Sequence, residues 1–267
     1  MPATQSRIND FVLKIATVNG TGSASANGLL MKALFRMGVP VTGKNLFPSN
    51  IQGLPTWYEI RANHAGYMSA SGRVDVMVAM NVQTYQKDLD EVSPGGFLVY
   101  DSTWPRDRQL YREDITVLGV PLAKLCNEAF SVARIRILMK NVAYVGALAA
   151  LMDIDLDVIK MLLEETFASK PKLVESNLKA IMLGYDYASE HFTCPLPARA
   201  ETMGDNSGNI IITGNEATGL GCLYAGATVG AWYPITPSTG VMDSFTDYCR
   251  RFRTDPETGD KNYCIIQ

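Results

Sequence analysis

The stretch Phe11-Val-Leu-Lys-Ile-Ala-Thr-Val18 is followed by Asn19-Gly-Thr-Gly-Ser-Ala-Ser-Ala-Asn-Gly28 and then by a helical pattern from Leu29 to Met37. The first run is rich in β-branched and apolar residues, which favour a strand, and the glycines after it are typical of a tight turn. The order of strand, glycine-rich turn and helix is the repeating unit of α/β sheets. This stretch therefore predicts the class of the fold.

Further strands are predicted from three apolar runs: Trp57 to Arg61, Val74 to Met80 and Phe97 to Asp101. A short polar helix from Thr84 to Val92 separates the last two runs. Apolar runs that alternate with helical patterns predict a mainly parallel sheet with helices packed on it. We therefore expect an α/β domain in the first part of the chain.

A long helical region is predicted from Ala123 to about His191. Predicted caps precede two of its helices: Asp153 and Asp155 before Leu156 to Phe167, and Ser169 with Pro171 before Lys172 to His191. The region from Cys194 to Gly208 then carries two prolines, two glycines and no periodicity. It predicts a linker over residues 193–208, with a domain boundary near residue 200.

After this boundary the pattern of strands and helices restarts. The predicted elements are a strand from Asn209 to Thr213, a helix from Asn215 to Ala225, the segment Trp232 to Thr239, a helix to about Phe252 and a strand from Asn262 to Gln267. A parallel sheet that stops on its third strand cannot bury both of its faces. We therefore expect either that the natural chain continues or that a partner completes this domain.

Composition and charge exclude several classes of protein. The 267 residues are 47% hydrophobic and carry a net charge of −3, with no cluster of basic residues that would indicate nucleic-acid binding. The five cysteines show no metal-ligand spacing, so zinc and iron–sulfur ligation within this chain are not expected. The amino-terminal residues lack a signal-peptide core and no uncharged apolar run reaches membrane-spanning length. We expect a cytoplasmic, reduced protein without a membrane segment.

The glycine-rich turn is a candidate anion site. Glycines allow a close backbone approach, hydroxyl groups can donate hydrogen bonds, and the amino end of the next helix favours an anion. The candidate ligand-binding residues are Gly20, Thr21, Gly22, Ser23 and Ser25. Ser25 occupies the position where a dinucleotide fingerprint requires its third glycine, which argues against NAD. A tight turn without any ligand is the alternative.

Two other features allow more than one interpretation. The long loop from Asn45 to Trp57 is either functional or a solvated connection, with Phe47 and Trp57 fixed to the core. Arg61, at the end of the strand that follows, could bind an anion or close an ion pair, and the second is more common.

The segment Tyr233-Pro-Ile-Thr-Pro-Ser-Thr239 predicts a stiff loop, because each proline fixes its own φ and restricts the residue before it. Such a loop would hold the Thr236 hydroxyl in place, while Ser238 or Thr239 could cap the helix that follows. A small carboxylate would fit there. A proline-rigidified connection between a strand and a helix is the alternative.

At this point the sequence resembles a known family. Gly214-Asn-Glu-Ala217, the residues from Gly221 to Ala227 and Trp232 to Thr239 resemble the start of the pyrimidine-binding domain of the 2-oxoacid:ferredoxin oxidoreductase α-subunit. The earlier stretches resemble its γ domain: Asn19 to Ser23, Phe47 to Arg61, Val142 to Ala150, Ser176 to Ala180 and Gly184 to Tyr187. The resemblance implies a Rossmann-like γ domain over residues 1–192, a linker over 193–208 and the incomplete start of a second α/β domain over 209–267.

The resemblance also implies an activity. The family, here of the 2-oxoglutarate kind, oxidatively decarboxylates a 2-oxoacid with thiamine diphosphate, reduces ferredoxin and forms an acyl-coenzyme A. Thr236 would act at the catalytic site and bind the substrate carboxylate beside Tyr233 and Ser238, and the Gly20 turn would contact coenzyme A. A β-subunit would share the diphosphate and Mg²⁺ and carry a 4Fe–4S cluster, giving a hetero-oligomer that is inactive without both subunits.

The catalytic glutamate of the family is expected just after the strand from Asn262 to Gln267. Glu216 is not assigned to that role, since its counterpart in the family opens a helix. Two other hypotheses stay open: a non-catalytic module for coenzyme A binding or assembly, and a nicotinamide-dependent Rossmann oxidoreductase, which the missing third glycine argues against.

Overall fold

The structure is a computed structural model that describes residues 6–47, 53–106, 108–204, 206–236 and 238–267. It divides into two compact units, Met1–Gly208 and Asn209–Gln267. The predicted loop residues 48–52 and the predicted loop residue Pro237 lie outside the described residues.

The first unit is built on one central sheet. Its strands are β1 (Arg7–Ile8), β2 (Asp10–Val18), β3 (Val41–Leu46), β4 (Pro55–Asn63), β5 (Val76–Ala79), β6 (Phe97–Asp101), β7 (Thr116–Val120) and β8 (Ala198–Arg199). Six of them form the sheet in the order β3-β4-β2-β5-β6-β7. β2, β5, β6 and β7 are parallel, whereas β4 runs antiparallel to both β2 and β3. The predicted α/β class with a mainly parallel sheet is confirmed.

The helices of the first unit are α1 (Ser23–Arg36), α2 (Tyr85–Glu91), α3 (Leu122–Ala129), α4 (Ala133–Met152), α5 (Leu156–Thr166) and α6 (Pro171–His191). A short 3-10 helix, Val82–Thr84, precedes α2. Leu13 and Ile15 of β2 pack on the side of the sheet that α1 and α4 cover, whereas Ala16 packs on the side covered by α2. The chain therefore leaves β2 toward one face and β5 toward the other. The crevice between their carboxyl ends is where open α/β sheets bind ligands.

Two strands of the six-stranded sheet were absent from the sequence-based prediction. β3 reads Val-Thr-Gly-Lys-Asn-Leu and lies at the edge of the sheet, where its middle residues are exposed, so it lacks a continuous apolar run. β7 is at the opposite edge and is also partly exposed. Because both are edge strands, their burial pattern is weak in the sequence.

Caps in the helical region agree only in part with the prediction. The Asp155 carboxylate accepts hydrogen bonds from the backbone N–H groups of Asp157 (2.8 Å) and Val158 (3.4 Å), which confirms it as the cap of α5. Asp153 instead ends α4 in the left-handed region, with φ 55°. α6 starts at Pro171 with Lys170, not Ser169, in the cap position.

α4 is the central helix of the unit. By length and composition alone it could cross a membrane, but 72% of its most apolar window is buried inside the structure, as in the core helix of a globular unit. It crosses α6 at close range through two glycines. A Cβ at Gly146 would overlap the carbonyl of Ile181, and one at Gly184 would overlap the carbonyl of Ala143.

The segment 193–208 was expected to be a linker, but its first part packs on the first unit. Leu196, Ala198 and Ala200 are buried in the core, and β8 pairs with β1 in parallel. The backbone N–H of Leu196 donates to the carbonyl of Leu151 at 2.7 Å. The apolar residues between the prolines hold this segment on the unit, so a linker description is wrong for residues 196–200.

The second unit contains α7 (Gly214–Tyr224), β9 (Val229–Ala231), α8 (Ser238–Phe252) and β10 (Cys264–Ile266). β9 and β10 are parallel neighbours, with Val229 opposite Cys264. The strand predicted from Asn209 to Thr213 is wrong. Within the described residues this stretch pairs with no strand, and Ile210 is 74% exposed.

Candidate functional site

The turn after β2 is built for a close backbone approach. Gly20 and Gly22 have φ of 86° and 83°, a region that side chains disfavour, so glycine is required at both positions. The Thr21 hydroxyl donates to the carbonyl of Val18 at 2.8 Å and closes the turn. α1 begins directly after it at Ser23, and no acidic residue lies in its first turn. The amino end of α1 is therefore available to an anion.

α4 fixes the turn from the side. The Asn141 amide donates to the carbonyl of Thr21 at 2.7 Å, although Asn141 itself is only 4% exposed. Leu138 packs so closely on Gly22 that a Cβ there would lie 2.7 Å from its Cδ2 atom. Sequence reasoning missed both residues. The available signal was an asparagine at the start of the most apolar stretch of the chain, where a polar side chain needs a buried partner.

The predicted ligand-binding residues are not equivalent in the structure. Gly20, Gly22 and Ser25 are exposed, and Thr21 is half-buried. Ser23 is buried, and its hydroxyl accepts a hydrogen bond from the hydroxyl of Thr17 at 2.9 Å. Because α1 starts at Ser23 and turns this side chain inward, Ser23 can offer a ligand its backbone N–H only.

The carboxyl end of β6, which is separated from β2 by β5, carries a buried carboxylate. Asp101 accepts hydrogen bonds from the hydroxyl of Thr103 at 2.7 Å and from the backbone of Ala123 at 3.3 Å. Lys140 of α4 lies 3.7 Å from its second oxygen. Burial, with a smaller contribution from Asp101, raises the pKa of the Cys126 thiol to about 11. Cys126 is therefore a protonated core residue and not a nucleophile.

In the second unit, the loop before α8 is clamped to the first turn of that helix. The carbonyl of Ile235 accepts hydrogen bonds from the Ser238 hydroxyl at 2.8 Å and from the Thr239 backbone at 3.0 Å. The N–H of Ile235 donates to the Thr239 hydroxyl at 3.1 Å. These bonds make the loop rigid. Tyr233, which is 70% exposed, and Thr236 lie on its open side.

Two other residues have structural roles. Glu216 and Thr213 form a capping box at the start of α7, with the Glu216 carboxylate accepting from the backbone of Thr213 at 2.7 Å. Glu216 therefore lies in the first turn of α7 and caps that helix. Arg61 is buried and pairs with Asp10 at 2.8 Å, at the amino end of β2 and away from the turn, so the ion-pair interpretation of Arg61 is confirmed.

The expectation that both Phe47 and Trp57 fix the long loop to the core is met by Trp57 only. Its indole N–H donates to the Asp88 carboxylate at 2.8 Å, which fixes the ring to the first unit, whereas Phe47 is 40% exposed. Burial raises the pKa of Asp88 despite hydrogen bonds from Thr84 and Trp57.

A mainly parallel sheet with a switch point beside a glycine-rich turn defines the first unit as a Rossmann-like α/β domain. The family model of pyruvate ferredoxin/flavodoxin oxidoreductases matches residues 12–187. This match covers well over half of the chain, and the chain belongs to that family.

Among curated proteins, the chain is 24% identical to subunit alpha of 2-oxoacid:ferredoxin oxidoreductase 2 from Aeropyrum pernix, over 86% of this chain and 42% of that protein. It is 22% identical to the 2-oxoglutarate oxidoreductase subunit KorA from Mycobacterium tuberculosis, over 91% of this chain and 42% of that protein. The chain therefore spans about two fifths of the length of these relatives.

Among solved structures, one 2-oxoglutarate:ferredoxin oxidoreductase from Magnetococcus marinus superposes with a TM-score of 0.81 and 26% identity, over 98% of this chain and 43% of that one. That structure contains 2-oxoglutarate, coenzyme A and succinyl-CoA. The pyruvate oxidoreductase subunit PORC from Thermotoga maritima superposes with a TM-score of 0.53 and 20% identity, over 67% of this chain and 96% of that one, and shows the fold alone.

Proposed function

We propose that this chain is part of a 2-oxoacid:ferredoxin oxidoreductase, of the 2-oxoglutarate kind, that converts a 2-oxoacid and coenzyme A to an acyl-coenzyme A and passes the electrons to ferredoxin. The observation that carries the proposal is the superposition of 98% of the chain on the enzyme from Magnetococcus marinus. Both units are included in it. The chain spans about two fifths of the length of these relatives, so the activity that we propose is that of a whole enzyme of which these residues form a part.

In this proposal the Gly20 turn holds a phosphate of coenzyme A. The exposed Gly20 and Gly22 let the ligand approach the backbone, and the amino end of α1 attracts its negative charge. The exposed Ser25 hydroxyl makes no hydrogen bond with any residue that the structure describes, so it is available as a further donor. Thr21 positions the turn through its bond to Val18. The residues present therefore fit the diphosphate portion of coenzyme A.

The loop of the second unit is the proposed carboxylate contact. The bonds around Ile235 hold the loop rigid, and Thr236 at its exposed side would donate its hydroxyl hydrogen to the substrate carboxylate. Tyr233 and Ser238 flank this position, although the Ser238 hydroxyl already donates to the loop.

Thiamine diphosphate would supply the carbon nucleophile that releases carbon dioxide from the 2-oxoacid. We assign the diphosphate, its Mg²⁺ and a 4Fe–4S cluster to the partner subunit in a hetero-oligomer.

Co-purification tests the proposal. The chain is expressed together with a candidate β-subunit of the same family, and the complex is assayed for 2-oxoglutarate-dependent reduction of a viologen dye. We expect a stable complex that contains thiamine diphosphate and reduces the dye. A chain that stays alone, or a complex that reduces no dye with any 2-oxoacid, would contradict the enzyme assignment and favour the alternative of a non-catalytic binding or assembly module.

The Thr236 contact has its own test in the assembled complex. Thr236→Ala should lower kcat/KM for the 2-oxoacid by the loss of one hydrogen bond to a charge, about 1.5–3 kcal/mol or roughly 10- to 150-fold. Thr246→Ala is the matched control, because the Thr246 hydroxyl donates to its own helix at the Met242 carbonyl, 2.6 Å away. Equal values for wild type and Thr236→Ala would remove Thr236 from the site.

A further inference from the structure

The first two turns of α4 extend beyond the Gly20 turn. Along α4 the contacts with this part of the chain are, in order, Tyr144 to Asn27, Asn141 to Thr21 and Leu138 to Gly22. As the residue number in α4 falls, the contact moves from the interior of α1 to the turn that precedes it. The residues of α4 before Leu138 therefore project past the turn, in front of the amino end of α1.

One face of this projecting part points to the same side as the turn. Residues three, four and seven apart share a face of a helix, so Arg134 and Ile137 lie on the face of Leu138 and Asn141. Arg134 lies about 6 Å further along the helix axis than Leu138, at about 1.5 Å for each residue. We call Arg134, Ile137 and Leu138 the Arg134 face.

The Arg134 face is exposed, and the Arg134 guanidinium pairs with no residue that the structure describes. Ile137 is 57% exposed and Leu138 is 39% exposed. Arg134 is exposed and makes no hydrogen bond or ion pair within the part of the chain that the structure describes. The other cations of these turns are engaged: Arg136 with the carbonyls of Phe130 and Ser131, and Lys140 with Asp101.

The Gly20 turn itself lacks a cation, since the residues from Asn19 to Ala26 are all uncharged. Amide groups and hydroxyls alone would have to balance the phosphates of coenzyme A. We propose that the Arg134 face is the second wall of the coenzyme A site, with Arg134 pairing with a phosphate and Ile137 and Leu138 contacting the pantetheine arm. This inference rests on the proposed role of the Gly20 turn. Its support is the match between a free guanidinium beside apolar side chains and a ligand with phosphates beside an aliphatic arm.

The test is equilibrium binding to the full chain by calorimetry, with three probes. Coenzyme A carries both parts, adenosine 3′,5′-bisphosphate carries phosphates without the arm, and pantetheine carries the arm without phosphates. Arg134→Gln should raise the Kd of coenzyme A and of the bisphosphate about tenfold, and leave the Kd of pantetheine unchanged. Ile137→Gln should weaken coenzyme A and pantetheine about threefold and spare the bisphosphate.

Arg136→Gln is the matched control. It removes the same charge from the same helix, but its side chain lies about 200° around the axis from Arg134. We expect its Kd for coenzyme A to stay within about twofold of wild type. Equal weakening by Arg134→Gln and Arg136→Gln would overturn the inference, as would coenzyme A binding that neither Arg134→Gln nor Ile137→Gln changes. A wild-type chain that binds none of the three probes would instead overturn the coenzyme A role of the turn, and the Arg134 face with it.

Discussion

Replacing Gly146 by alanine should destabilise the first unit, although alanine is the better helix former. α4 and α6 cross where Gly146 faces Ile181 and Gly184 faces Ala143. A Cβ at Gly146 would overlap the carbonyl oxygen of Ile181 and lie 2.6 Å from its carbonyl carbon. These atoms belong to the backbone of α6 and cannot rotate away. The two helices would have to separate by about 1 Å, which loosens the packing of the core around them.

The size of the effect follows from two opposing contributions. Alanine in place of glycine in a helix gains about 1 kcal/mol. Overpacking a well-packed core costs about 1–3 kcal/mol and more where backbone must move. Because the clash here is with backbone, we expect a net loss of about 2 kcal/mol in the free energy of unfolding. For a unit of this size the melting temperature should fall by roughly 4–8 °C.

Gly28 provides the matched control for this prediction. It lies within α1, and a Cβ there would meet nothing within 4 Å. Gly28→Ala should therefore stabilise the protein by about 0.5–1 kcal/mol, because it gains helix propensity without a clash. Urea unfolding followed by circular dichroism measures both variants. Changes of the same sign, or a stable Gly146→Ala, would refute the account of the α4–α6 crossing.

Two further predictions concern stability. Tyr144→Phe leaves the buried side-chain oxygen of Asn27 without its donor at 2.7 Å, and should cost about 1–3 kcal/mol in urea unfolding; Tyr111→Phe, at a site 68% exposed, should cost nothing measurable. Burial opposes ionisation of Asp10, but bonds from Asn63 and Arg61 outweigh it and lower the pKa of Asp10 below 3.8. The stabilisation from Asp10 is thus complete above its unfolded pKa and lost as pH falls through the folded value, so wild type and Asp10→Asn should converge in stability toward pH 2. A difference that is independent of pH would contradict this.

Much of the fold of the first unit follows from the sequence because its central strands are buried on both faces. β5 is a continuous apolar run, and β2 and β6 are mostly apolar, with Lys14 as the one charged residue inside β2, so a sequence displays them directly. β3 and β7 lie at edges and carry no such run, and the antiparallel direction of β4 depends on long-range pairing that no local pattern encodes. The run from Asn209 to Thr213 is apolar like a strand, but it forms none in the structure. An apolar run becomes a strand only where a partner strand is available for pairing.

The sequence predicts the backbone conformation of the glycine-rich turn, but it does not predict the side chains that hold the turn in place. The glycines of the turn after β2 predict a positive φ at their positions, because few other residues tolerate that conformation. The inward rotation of Ser23 depends on where α1 begins, and helix starts are uncertain from sequence. The contacts from Leu138 and Asn141 join residues more than 100 positions apart in the chain, so only the packed structure reveals them.

The central claim is that this chain takes part in the oxidation of a 2-oxoacid to an acyl-coenzyme A. The most direct measurement is the formation of succinyl-coenzyme A by the complex with the proposed β-subunit, from 2-oxoglutarate, coenzyme A and oxidised ferredoxin. We predict product in proportion to reduced ferredoxin, with none when coenzyme A is omitted. A complex with bound thiamine diphosphate that forms no acyl-coenzyme A from 2-oxoglutarate, pyruvate or a branched 2-oxoacid would contradict the claim.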